Sequence, residues 1–127
     1  MLYEKWLDPL VIKETRIDAI YGLTNLMESG LLASGDINRP VFILYGERDE
    51  IIPVRATCQM LHTLPPLPPP RWRMALYPEG YHMLTRDLQA EVVYEDMLAW
   101  LRDQQTPLPS GQEVDLQTPR LQAFCGE

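Results

Sequence analysis

The sequence predicts an α/β fold in which two parallel strands alternate with helices. Residues 41–45 form an unbroken apolar run, β-branched and aromatic, the pattern of a strand buried on both faces of a helix-covered sheet. Residues 73–77 read as a second strand, and each run is followed by a turn containing glycine, Gly46 in one and Gly80 in the other. Three stretches of helical periodicity alternate with these strands, which is the α/β signature with right-handed crossovers.

Taken in order, residues 1–15 are irregular, with Trp6 and Asp8-Pro9-Leu10. Thr15 is suited to cap a helix, with Asp18 three positions on as a weak capping box. That helix puts Ile17, Ile20, Tyr21, Thr24 and Met27 on one side and runs to Ser29, where Gly30 suits a left-handed terminating residue. Residues 31–38 form a loop, and Pro40 precedes the first strand, where a missing amide is tolerated. Pro53 fits the first turn of a helix reaching Leu64, with Val54, Cys58 and Leu61 facing the sheet. Pro65-Pro66-Leu67-Pro68-Pro69-Pro70 forbids helix and favours an extended connection. The last helix begins near Asp87 as cap and continues to Asp103, with Ala90, Val93, Tyr94, Met97, Leu98 and Leu101 as its apolar face. Residues 104–127, rich in Pro and Gln, are expected to be a disordered tail.

A chain of 127 residues has room for one domain, and 46% hydrophobic residues suit a folded core. The net charge of −7 offers no basic stripe and argues against nucleic acid as partner. No apolar run approaches the ~18 residues of a membrane span, and residues 1–5 lack the apolar core of a secretory signal. The two cysteines, Cys58 in a helix and Cys125 in a polar tail, show no spacing that suggests a disulfide framework or metal site. They leave a reduced cytoplasmic setting as the default. No cofactor is expected, because there is neither a phosphate-binding glycine loop nor a ligand cluster for a metal.

The chemistry concentrates after the two strands. Asp49 falls in the turn beyond the first and His82 beyond the second, 33 positions later. In open α/β sheets functional side chains gather at that carboxyl edge. A carboxylate that orients an imidazole lets the ring take a proton from an attacking hydroxyl. Each residue also has an ordinary reading. An Asp in a turn often bonds nearby amides, and Glu47 and Glu50 are neighbouring acids. His62 reads as structural, and Cys58 as a small apolar helix position. Tyr81 and Met83, with Leu84, flank His82 and either line a substrate pocket or simply pack.

The segments Leu44-Tyr45-Gly46-Glu47-Arg48-Asp49 with Ile52-Pro53, and Tyr77-Pro78-Glu79-Gly80-Tyr81-His82, resemble the acid and histidine turns of α/β-hydrolases. The resemblance covers roughly residues 6–102 and is nearest to the lysophospholipase and monoacylglycerol-lipase branch, the serine aminopeptidase-like hydrolases. It implies a serine hydrolase of carboxylic esters in which Asp49 and His82 are the catalytic acid and histidine. In that family the nucleophile sits in a G-x-S-x-G elbow earlier in the chain. The serines here are Ser29, Ser34 and Ser110, and none lies in such a pattern. The resemblance therefore implies the C-terminal part of an α/β-hydrolase fold, inactive alone. Residues 1–30 would be the end of a cap region with its connecting helix, and residues 31–103 the end of the hydrolase domain. Substrate would be a small ester or lipid. The alternative is a non-catalytic interaction module, and either way two strands leave exposed edges that invite self-association.

Overall fold

The computed structural model describes residues 7, 9, 10, 12, 14–65 and 72–126. The Trp6 and Asp8 part of the expected cap segment and residues 66–71, with most of the proline run, lie outside them. The chain divides after Ala33 into two units.

In the first unit, helix α1 (Ile17–Ala33) continues past Gly30, where the sequence pattern predicted its end. Positive φ occurs among the described residues at Gly111 and Gly126 only, so Gly30 keeps a helical backbone. The Leu31-Leu32-Ala33 that follows is made of strong helix formers. Asp18 is engaged by Arg16, at 2.9 and 2.7 Å, and by the Ala19 amide at 3.0 Å. None of the helix's residues is buried.

In the second unit, β1 (Val41–Gly46), α2 (Val54–Thr63) and β2 (Trp72–Tyr77) follow in order. Next come a 3₁₀ turn (Leu84–Arg86), α3 (Ala90–Arg102), β3 (Glu113–Val114) and α4 (Pro119–Cys125). β1 and β2 pair in parallel, from Val41 opposite Trp72 to Gly46 opposite Tyr77. β3 adds to the far side of β2 in antiparallel sense, Met74 opposite Val114, giving a mixed sheet in the order β1-β2-β3. The alternation of a strand sends successive side chains to opposite faces, and β2 supplies both. Met74 and Leu76 pack with Tyr45, Leu61, Leu64, Val114 and Leu121. Ala75 and Tyr77 pack with Val93 and Leu108.

Among the described residues the sheet thus has three strands rather than the two parallel ones expected, because the short Glu113–Val114 strand pairs onto β2. Three further sequence expectations are corrected. Helix α3 starts at Ala90 rather than near Asp87, and its buried side carries Val93 and Asp96, with Met97 and Trp100 packed against the core. Tyr94, Leu98 and Leu101 are exposed. The apolar pattern is ambiguous there because a buried acid takes a core position that hydrophobic periodicity assigns to an apolar residue.

The segment from residue 104 is not an unstructured tail. Leu108, Val114 and Leu121 are each 5% exposed or less, and average composition conceals three such widely spaced anchors. Polar ties add to them. Arg73 forks onto both oxygens of Glu113 at 2.6 Å each and reaches the Gln104 carbonyl at 2.8 Å. The fully buried Asp96 carboxylate accepts hydrogen bonds from Tyr77 Oη (2.8 Å), Ser110 N (2.9 Å) and Ser110 Oγ (2.5 Å). Burial, and then the adjacent carboxylate, push the Tyr77 hydroxyl pKa far up, so it stays a donor.

The cysteines, finally, are not unpaired. Cys58 on α2 is bonded to Cys125 at the end of α4. A linear spacing of 67 residues carries no pairing signal of its own. The cytoplasmic expectation rested on reduced thiols and loses that ground. Among the described residues, no helix is long and apolar enough to cross a membrane.

Candidate active site

β1 and β2 end side by side because they are parallel and in register, so the loops leaving them start as neighbours. The approach is closest at Gly46 and Gly80. A Cβ on Gly46 would run into the Gly80 carbonyl, and one on Gly80 would press on the Gly46 Cα. Glycine at both positions is therefore a condition for the two loops to touch. Backbone bonds then stitch them: Glu47 N to Tyr77 O and Arg48 N to Gly80 O, both 2.9 Å.

Side chains continue the stitching. Arg48, in the acid loop, pairs with Glu79 at 2.5 Å. Its guanidinium lies 5.9 Å from the Tyr81 ring centre, and Nη1 reaches the Tyr81 hydroxyl at 3.4 Å. Below the acid loop, Tyr45 Oη donates to the Ile52 carbonyl at 2.6 Å. Asp87 accepts from the Tyr81 amide at 2.7 Å, so it braces the histidine turn instead of capping α3.

Within this frame Asp49 Oδ2 lies 3.0 Å from His82 Nδ1. The other oxygen, Oδ1, accepts from the amides of Ile51 (2.7 Å) and Ile52 (3.0 Å). The acid thus fills the ordinary turn role with one oxygen and meets the imidazole with the other. Its side chain is 6% exposed, whereas that of His82 is 45% exposed. The carboxylate is shielded and the ring is open to an incoming group. Burial raises the pKa of Asp49, but the His82 bond and the Ile52 and Ile51 amides outweigh it, and the net shift is downward.

A carboxylate whose folded pKa is below its unfolded value adds stability that is fully present above the unfolded value, and this is lost as pH falls through the folded one. The stability deficit of Asp49→Asn should therefore be largest near neutrality and shrink in acid. Urea unfolding of both proteins across the carboxylate range measures it, and a deficit independent of pH would contradict the assignment.

Of the other residues singled out, Tyr81 is exposed beneath Arg48, and Met83 is half-buried at the start of the 3₁₀ turn. Glu47 faces Arg120 at 2.6 Å. Ser34 and Ser110, in the same unit as His82, bond Thr63 and Asp96. The roles of Arg48 and Arg120 escaped the sequence reading, and Asp87 reads there as a helix cap, since each acts across loops or between distant segments.

A carboxylate-oriented, exposed imidazole at the carboxyl ends of parallel strands is equipped for proton transfer to and from a reacting oxygen. The model of the family described as serine aminopeptidase, S33, matches residues 3–89. Comparison with curated proteins and with solved structures gives no significant match. The family match spans both loops and both long strands, and the chain belongs to the serine aminopeptidase S33 family of α/β-hydrolases.

Proposed function

We propose that this chain supplies the acid and the histidine of a serine hydrolase that cleaves carboxylic esters, of the lysophospholipase and monoacylglycerol-lipase type. The single observation that carries the reading is the 3.0 Å contact between Asp49 Oδ2 and His82 Nδ1. Asp49 fixes the tautomer with the proton on Nδ1 and stabilises the imidazolium. Nε2 takes the hydroxyl proton during attack and returns it to the leaving alkoxide. The serine itself belongs to a G-x-S-x-G segment outside these residues, so this is the C-terminal portion of the complete enzyme, with residues 1–30 as the end of its cap. Tyr81 and Met83, flanking the imidazole, contact the acyl or alcohol part of the substrate. The cytoplasmic setting is not part of this reading, since the Cys58–Cys125 bond favours an oxidising compartment.

The test is reconstitution. The chain is mixed with the nucleophile-bearing half of an S33 hydrolase, and hydrolysis of a monoacylglycerol, a lysophospholipid and a peptide anilide is followed. Ester hydrolysis is expected only in the mixture. A preference for the anilide would move the reading to peptide bonds.

A second reading has one observation of its own. Among the described residues β1 is paired on one side only, and an open six-residue edge is a template for another strand. A stable homogeneous oligomer of the chain alone, seen by light scattering, would favour an interaction module.

A further inference from the structure

The family match ends at residue 89, yet a residue far beyond it reaches the base of the site. Arg120, on α4, directs its whole guanidinium there. Nε and Nη2 donate to Glu47 Oε1 at 3.1 and 2.6 Å, Nη2 also to the Leu76 carbonyl at 2.7 Å, and Nη1 to Gln112 Oε1 at 2.6 Å. Glu47 stands two residues before Asp49, at the start of the acid loop. Leu76 is the penultimate residue of β2, from which the histidine turn departs. One rigid fork therefore grips both strand ends whose loops carry Asp49 and His82, a task for which a planar multi-donor group is suited and a lysine is not.

The mount of this fork is also fixed. Leu121, beside Arg120, is 1% exposed, and Cys125 at the end of the same helix is bonded to Cys58 on α2. Helix α2 begins at Val54, where the acid loop ends. Helix α4 thus holds the acid loop at both ends, by an ion pair at Glu47 and through a covalent bond to the helix that follows. We propose that Arg120 is a positioning residue for the Asp49–His82 pair, acting through Glu47, with α4 held in place by the Cys58–Cys125 bond. This rests on the reading above that Asp49 and His82 act together.

The test uses the full, oxidised chain and needs no nucleophile. Asp49 carboxyl titration and amide exchange at Ile51 and Ile52 are followed by NMR in the wild type, Arg120→Gln and Glu47→Gln. If only charge mattered, removing the cation at 120 would raise the Asp49 pKa and removing the anion at 47 would lower it. Loss of positioning instead moves both variants upward, and the Ile51 and Ile52 amides exchange roughly tenfold faster in both. Asp18 and Asp103, held low by Arg16 and by the Gln105 amide, stay in place as internal controls. Opposite shifts in the two variants, or none, would overturn the proposal. Cys125→Ser, which keeps Arg120 and loosens its mount, should shift Asp49 in the same upward direction. It provides a third reading if Arg120→Gln does not fold. His82→Ala in the same titration separates the two levels. If it leaves Asp49 unmoved, the acid–histidine pair itself is at fault, whereas a rise there with unmoved arginine and glutamate variants sinks only the role of Arg120.

Discussion

His82→Ala is expected to lower ester hydrolysis in the reconstituted enzyme by roughly 10⁶-fold, to the level left by substrate binding and oxyanion stabilisation alone. The loss should fall on kcat, since the imidazole moves a proton in the transition state and contributes little to holding the ground state. Asp49→Asn should cost less, roughly 10⁴-fold, because the imidazole remains but an amide at Oδ2 presents the wrong partner to Nδ1 and favours the wrong tautomer. The double variant should be scarcely worse than His82→Ala alone, since two groups that act as a unit are not additive. Because the Oδ1 bonds to Ile51 and Ile52 survive in Asn, this loss would not be one of fold, and an unchanged circular dichroism spectrum verifies that. If either variant retained the activity of the parent, the site assignment would be wrong.

Asp96→Ala should be among the most damaging single changes to stability. Its carboxylate is fully buried and satisfies three donors, from Tyr77 and Ser110. A buried donor left without an acceptor costs about 1–3 kcal/mol, so a total of about 3 kcal/mol or more is expected, with added loss from the cavity. Asn at this position keeps the shape and one acceptor oxygen and should cost about half as much. The midpoint of urea unfolding should fall with little change in slope. Since Ser110 is anchored only through its neighbours and this carboxylate, proteolysis in the segment around residue 105 should accelerate in step. A loss below ~1 kcal/mol would mean that water replaces the network.

The strands and the helix between them were legible because each obeys one dominant rule. Val41–Gly46 is apolar throughout, Gly46 and Gly80 mark tight turns, and Cys58 and Leu61 keep helical spacing. The placement of Asp49 and His82 was legible for the same reason, since parallel neighbours end at one edge. What escaped depends on partners distant in the chain. Val114 becomes a strand only by pairing with Met74, and two residues of strand carry no periodicity. Helix α4 is seven residues long, too short to stand on propensity, and exists through Leu121 and Cys125. Asp96 misled the reading of α3 because an acid in a helix is ordinarily solvated, and its partners Tyr77 and Ser110 lie 19 and 14 positions away.

The bond between Cys58 and Cys125 has a consequence for the denatured ensemble. It closes a loop spanning 67 positions, and in the chain-entropy account a loop of that length removes about 4 kcal/mol worth of disorder from the unfolded chain. That is a large part of the ~5–15 kcal/mol that a small domain commands. His82 lies inside this closed ring of sequence and Asp49 outside it. When the oxidised protein unfolds, β2, α3 and β3 stay tethered as a loop while β1 drifts as a free arm. Rejoining the acid to the histidine then requires only that arm to return. In the reduced protein both segments must find each other from an open chain, so folding yield and redox environment are linked through topology alone.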